Sequence, residues 1–295
     1  MTHQPAKPAP KSSGEKRASG RLSKTLRVCD LKPPVRLNES YVYKRLLNLG
    51  LEPQLAQKTA AVVKVRSFEA GSIIWTKGSE VQSWQYIVAG LVAAAIPTTN
   101  SQSTPISIYG KGSWFGEQSI INRKPSYADY LCLVETEVLA LPASQFDQLF
   151  VDDAGFARHV AKLMAWRVQK TSETLMLMKL GNPCLRTVMG LAQFAEALAY
   201  RSDRPPTIPF GVGVEIPIPQ TTLASLCGVS RTLFSETVQQ LAAAEWLKIS
   251  YSKLEILQIS AWLGFASHQR ERNFSNLNPS VGELLIELKS CDATQ

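Results

Sequence analysis

From Val65 to Pro142 the chain alternates short apolar runs with glycine. Ser72-Ile73-Ile74-Trp75, Trp84-Gln85-Tyr86-Ile87-Val88, Leu91 to Ile96, Ile106-Ser107-Ile108-Tyr109, Tyr130 to Val134 and Glu137 to Leu141 are rich in β-branched and aromatic residues. Gly71, Gly78, Gly90, Gly110, Gly112 and Gly116 punctuate them. Many short strands with glycine turns predict a jelly roll or β-barrel. Outside this region the period changes. Leu46, Leu47, Leu49, Leu55, Ala60 and Val63 predict one or two short helices ahead of it. From Phe156 to Leu180 no Pro or Gly intervenes, and Phe156, Val160, Leu163, Met164, Arg167, Thr171, Leu175 and Met178 recur at steps of three and four. That is a long amphipathic helix whose narrow stripe suits a seam with a second copy. Gly181-Asn182-Pro183 ends it and forms a natural hinge. Leu185 to Tyr200 repeats the helical period.

The segment Pro219 to Leu241 holds two short helical patterns around one glycine. Leu223, Leu226 and Cys227 share one face of the first. Gly228 supplies a positive-φ turn, and Ser230 is a suitable N-cap for the second helix. There Phe234, Val238 and Leu241 stack on the buried side, while Arg231, Thr232, Ser235, Glu236 and Gln239 share roughly the opposite one. This is a helix-turn-helix pattern, and its polar face carries the donors and acceptors that read base edges in a major groove. Val214 to Pro217 predicts a strand leading in. Lys248-Ile249-Ser250 and Leu254-Glu255-Ile256 predict a wing, with Tyr251-Ser252-Lys253 at its tip near a phosphate.

Composition changes this picture in three places. The net charge is +8, but residues 1–38 hold nine Lys/Arg and two Asp/Glu, or +7, which leaves 23 basic against 22 acidic residues elsewhere. Between Thr207 and Arg270 four basic residues stand against four acidic ones, so the expected DNA-reading segment is neutral overall and depends on local placement of Arg231, Lys248 and Lys253. Residues 1–38 are too polar to bury a core and read as a disordered basic tail. The five cysteines and three histidines are scattered with no Cys-x-x-Cys pair, which argues for a reducing compartment and against a metal site. The longest apolar run, Ile87 to Ile96, is about half of what spans a bilayer, and no secretory h-region is present. No Ser/His/Asp, paired-carboxylate or P-loop pattern suggests an enzyme.

Gln220, Leu223, Ala224, Gly228, Val229, Ser230 and Arg231, with Leu241 ahead of Trp246-Leu247-Lys248-Ile249-Ser250, resemble the C-terminal winged helix of the catabolite-activator/fumarate-nitrate regulator (CRP/FNR) family of bacterial transcription factors. Phe68-x-x-Gly71-x-x-Ile74-x-x-x-Gly78, Tyr86-Ile87-Val88-x-Gly90 and Gly112-x-x-Phe115-Gly116-Glu117 resemble that superfamily's cyclic-nucleotide-binding β-roll, over about residues 65–150. The two likenesses stand in the family's order. They imply an α+β chain with a jelly-roll-like β-roll, a long central dimerisation helix and a C-terminal winged helix-turn-helix. The expected divisions are a basic tail (1–38), a sensor (39–155), the dimerisation helix (156–181), the DNA-binding domain (182–270) and a C-terminal tail (271–295), within which Val281 to Leu288 is a short amphipathic stretch.

The resemblance also assigns roles. Gln220, Ser230, Arg231, Thr232, Ser235, Glu236, Gln239 and Lys253 would face DNA. The family often has an acidic residue where Thr232 stands and an Arg where Glu236 stands, so the operator sequence does not carry over. Gly116 and the amides after it would cradle a phosphate, and Glu117 would accept from a ribose hydroxyl. Gln118, Ser126, Tyr127, Thr171 and Ser172 would complete that pocket. Cyclic-nucleotide binders carry a phosphate-neutralising Arg where Ser126 stands here, and Arg123 and Lys124 come early. Loss of that charge-assisted contact removes on the order of a few kcal/mol, so cyclic AMP is expected to bind weakly or not at all. Val160, Leu163, Met164, Arg167, Thr171 and Leu175 would form the homodimer seam. Double-stranded DNA and RNA polymerase are the implied partners, in a bacterial cytoplasm and away from membranes. A small-molecule effector is left open and no cofactor is assigned. The alternative is a nucleotide-sensing module whose C-terminal helices contact proteins.

Overall fold

The computed structural model describes residues 25–26, 38–97, 103–199, 213–250 and 253–293. The rest of the expected tail, the Arg201 to Pro209 loop, and Tyr251 and Ser252 of the wing tip lie outside these.

Two helices open the sensor. Asn38 caps α1 (Glu39–Asn48) by accepting from the Tyr41 N–H at 3.0 Å, and α2 (Pro53–Ala60) starts on a proline, whose missing N–H costs nothing in a first turn. Val42, Leu46, Ala56 and Ala60 are their buried residues against the roll. The roll follows as β2 (Lys64–Phe68), β3 (Ser83–Ala89), β4 (Leu91–Pro97), β5 (Ser103–Gly110), β6 (Trp114–Phe115), the short helix α3 (Glu117–Asn122), β7 (Asp129–Cys132) and β8 (Thr136–Pro142). Its two antiparallel sheets run β2-β8-β3-β6 and β5-β4-β7. The strands β3 and β4 are buried almost throughout, which is why their sequences run apolar instead of alternating. Gly90 turns between them at φ +105°, where a Cβ would stand 2.4 Å from the Thr136 hydroxyl. The expected strand at Ser72 to Trp75 is reduced to a single bridge, Ile73 to Leu131, because neighbouring backbone bonds to Tyr130 and Cys132 are irregularly spaced.

After α4 (Ala143–Asp152), the helix α5 (Ala154–Leu180) is capped by Asp153 and runs to the expected end at Gly181. The reader comprises α6 (Pro183–Ala199), β9 (Gly213–Ile216), α7 (Gln220–Leu226), α8 (Arg231–Ala243), β10 (Leu247–Ser250), β11 (Lys253–Ile256), α9 (Ile259–Glu271) and α10 (Val281–Ala293). Its core surrounds Phe234, Trp262 and Phe265.

Two terminal expectations need correction. Thr25–Leu26, placed by sequence in a disordered tail, forms a strand, β1, parallel to β9 at the edge of the sheet β1-β9-β11-β10. Residues 271–295 are not simply a tail: Leu284 and Leu288 of α10 are fully buried in the reader core. Sensor and reader also touch. Leu91 is buried among reader residues, and a Cβ on Gly110 would stand 2.2 Å from the Ala197 carbonyl oxygen.

Candidate nucleic-acid interface and sensor pocket

The two helices α7 and α8 and the turn at Gly228 close as their residues dictate. Gly228 has φ +63°, and a Cβ there would stand 2.2 Å from the Met178 sulfur of α5. The Ser230 hydroxyl accepts from the Leu233 N–H at 3.3 Å, satisfying one orphan donor of α8. Phe234, Val238 and Leu241 are fully buried, with Thr237 beside them. On the other side Arg231, Thr232, Glu236 and Gln239 are exposed and Ser235 is half-buried, and the five line one shallow open surface. None of these five side chains has a hydrogen-bond or ionic partner among the described residues. Gln220 is half-buried at the start of α7. Lys253, expected near a phosphate, instead donates to Glu215 Oε1 at 2.8 Å across the wing. A phosphate would have to compete with that exposed pair, which is worth about 0–1 kcal/mol.

The sensor pocket is arranged otherwise. Gly116 takes φ +103° ahead of α3, but the Trp75 ring lies over it, 2.9 Å from where a Cβ would be. Trp75, Tyr109, Phe115 and Tyr130 pack edge and face around that point, with Tyr127 against Tyr130. Burial pushes the Tyr130 and Tyr109 phenols far above their ordinary value. Ser126 is buried, and its hydroxyl donates to the Ala128 carbonyl at 2.7 Å, so it holds its own turn. Gln118, Tyr127, Thr171 and Ser172 are exposed.

Glu117 is the centre of this arrangement. Its side chain is 0% exposed. One oxygen accepts from Trp84 Nε1 at 3.0 Å, and the other accepts from Arg167 Nη1 of α5. Arg167 also donates to the Trp114 carbonyl and lies 5.4 Å from the Tyr109 ring centroid. Trp84 and Trp114 stack at 4.0 Å. Glu117 is thus engaged by its own chain, where a ribose hydroxyl was expected. Arg167 faces the sensor core of its own chain and does not join the seam to which the sequence assigned it. That pairing was missed, although a cation in an otherwise apolar stripe is a signal that a carboxylate waits opposite.

Val160 needs the same correction. It is fully buried in its own sensor core with Phe156, and Leu163 packs partly there. The exposed stripe of α5 is rotated from the expected one and reads Ala161, Val168, Thr171, Leu175 and Met178, while Met164 is half-buried against the sensor core, and together the six stand in alternating steps of three and four. Val168 and Leu175 are 63% and 54% exposed.

Residues 65–153 match the family described as cyclic nucleotide-binding domain. The chain is 22% identical over 207 residues to the cyclic AMP receptor protein of Thermus thermophilus, covering 70% of this chain and 90% of that one. It is 18% identical over 200 residues to the CRP-like cAMP-activated global transcriptional regulator of Mycobacterium tuberculosis, covering 68% and 87%. A 26% match over 114 residues to lysophospholipase nte1 of Aspergillus niger covers 39% of this chain but only 7% of that protein. Such partial likeness carries no esterase function. Among solved structures, FixK2 of Bradyrhizobium japonicum superposes with a TM-score of 0.56 at 12% identity, over 74% of this chain and 98% of that one. A CRP/FNR-family transcriptional regulator of Thermus thermophilus gives 0.54 at 15%, over 69% and 98%. The chain therefore carries a cyclic nucleotide-binding domain within the architecture shared by CRP/FNR regulators. Among the described residues, no helix is long and apolar enough to cross a membrane, and no group of His, Cys, Asp and Glu is placed to hold a metal.

Proposed function

We propose that this chain, a cyclic nucleotide-binding domain joined to a winged helix-turn-helix, is a homodimeric regulator that binds specific DNA and acts on transcription with RNA polymerase as partner. The observation that carries this is the face of α8. Arg231, Thr232, Ser235, Glu236 and Gln239 project together with no partner among the described residues, on a helix whose other side is fully buried. Unpaired donors and acceptors on a rigid helix are what a major groove can match. The heptad stripe of α5 is the seam this reading requires, bringing two such faces onto a near-palindromic site. Selection of bound fragments from genomic DNA by the full-length protein tests it. Recovery of a half-site repeat about one helical turn apart supports the reading, and random recovery overturns it. Leu175→Glu together with Val168→Glu is expected to give a monomer in sedimentation.

The sensor supports a narrower reading. Glu117 is already paired, Trp75 covers Gly116 and Ser126 brings no cation, so cyclic AMP is expected to bind weakly or not at all. DNA binding then follows another effector or none. Calorimetry with cyclic AMP is the check, and submicromolar binding by the wild type would refute this part.

A further inference from the structure

Besides the direct contact of Leu91 and Gly110 with the reader, sensor and reader are joined through residues 181–183, where α5 passes into α6, and this junction is tied down. The Asn182 N–H donates to the Leu277 carbonyl at 2.9 Å, and its Nδ2 donates to the Pro279 carbonyl at 2.7 Å. Its Oδ1 accepts from the Leu185 N–H at 2.8 Å and caps α6. One asparagine therefore starts the reader's first helix and grips the link between α9 and α10. That link is itself fixed at both ends. Asn273 and Phe274 adopt left-handed φ values of +48° and +53°, a conformation that costs side-chain-bearing residues on the order of 1 kcal/mol each, and Phe274 is held there by burial in the reader core. At the far end Ser280 and Glu283 form a reciprocal capping box at the start of α10, with bonds of 2.7 and 3.3 Å.

A second tie bridges the same joint. Arg270, in the last turn of α9, donates through Nη2 to Glu196 Oε2 of α6 at 2.7 Å and through Nε to Glu173 Oε2 of α5 at 3.2 Å. Lys170 shares Glu173 at 3.3 Å, so two cations and two carboxylates alternate. The Arg270 side chain is 20% exposed and that of Glu173 12%, so solvent screens the network only partly. Removing the guanidinium leaves Glu173 with Lys170 alone and takes from Glu196 its ionic partner among the described residues.

We propose that α9, α10 and their link form a hinge clamp that sets the pose of the DNA-reading unit on α5, with Arg270 and Asn182 as its two positioning residues. Signal from the sensor then moves the reader through a held joint instead of a loose linker. The clamp's geometry stands without the DNA-reading assignment; its consequence for DNA rests on it.

The test uses full-length protein carrying Arg270→Gln and, separately, Asn182→Asp, which keeps the α6 cap but loses the donor to Pro279. Hydrogen exchange read on a peptide spanning residues 177–186 is expected to accelerate at least tenfold in each variant, with peptides from β8 and the buried part of α8 unchanged. Affinity for the selected DNA fragment is expected to fall at least fivefold. A salt bridge that merely adds stability would lower the melting temperature without loosening residue 182. Wild-type protection at the junction in both variants overturns the clamp, and faster exchange with unchanged DNA affinity overturns its role in reading. If the wild type selects no DNA, the functional reading fails while the exchange result still decides the clamp.

Discussion

Glu117 on α3 and Glu236 on α8 are the same residue type, each on a helix, yet the fold treats them oppositely. Glu117 is fully enclosed, with both oxygens engaged by Trp84 and Arg167. Glu236 stands in the open beside Arg231, Thr232 and Gln239, with no hydrogen-bond or ionic partner among the described residues. A charge removed from water needs its partner at once, whereas one left in water can wait for a partner from outside. The buried centre of the sensor pocket has therefore spent its charges on itself, and the polar face of α8 has kept its groups available. The contrast separates a site that holds structure from one left free for a partner.

The sharpest way to break the comparison is at Arg167. Arg167→Met strands the Glu117 carboxylate, and unfolding by denaturant is expected to show a loss of about 3–5 kcal/mol. Adding Glu117→Met should recover much of it, since an apolar pair asks for no compensation. An unchanged midpoint in the single variant would mean that the pair is not structural.

The reader side predicts the reverse pattern. Arg231→Ala should leave the denaturation midpoint within about 0.5 kcal/mol of wild type, as surface changes usually do. It should cost about 1–3 kcal/mol of specific DNA binding by titration. Full affinity in that variant would remove the recognition-helix assignment.

A smaller effect compares buried groups within the reader itself. Burial against Gly190 pushes the Cys227 thiol up to about 12, with Arg186 opposing, from an ordinary value of 9.0. Between these values the unfolded chain has released a proton that the folded chain still holds. Stability is therefore complete below pH 9 and falls as pH rises toward 12, by up to about 1.4 kcal/mol per pH unit from this group. Denaturation series at pH 9 to 11 should show that slope reduced in Cys227→Ala. An equal slope in both proteins would assign it to other groups, such as Tyr41, whose phenol burial also raises to about 12.

What the residues alone determined is local. Gly228, Ser230 and the spacing of Phe234, Val238 and Leu241 act within one or two helical turns, so the helix-turn-helix could be read directly, cap included. Gly90 and Gly116 marked turns for the same reason, because only positive φ or close approach requires them. The long helix to Leu180 was legible too, but not the direction in which its stripe faced. Apolar positions cover more of that helix than one partner needs, and only packing against the roll sent Val160 inward and left Val168 outward. The decisive polar contacts are remote in the chain: Arg167 lies 50 residues from Glu117, and Asn182 lies 97 from Pro279. Periodicity carries no information about partners at that separation. A charged or amide side chain acquires its role from whatever the fold brings opposite it, and that is settled only when the layers close.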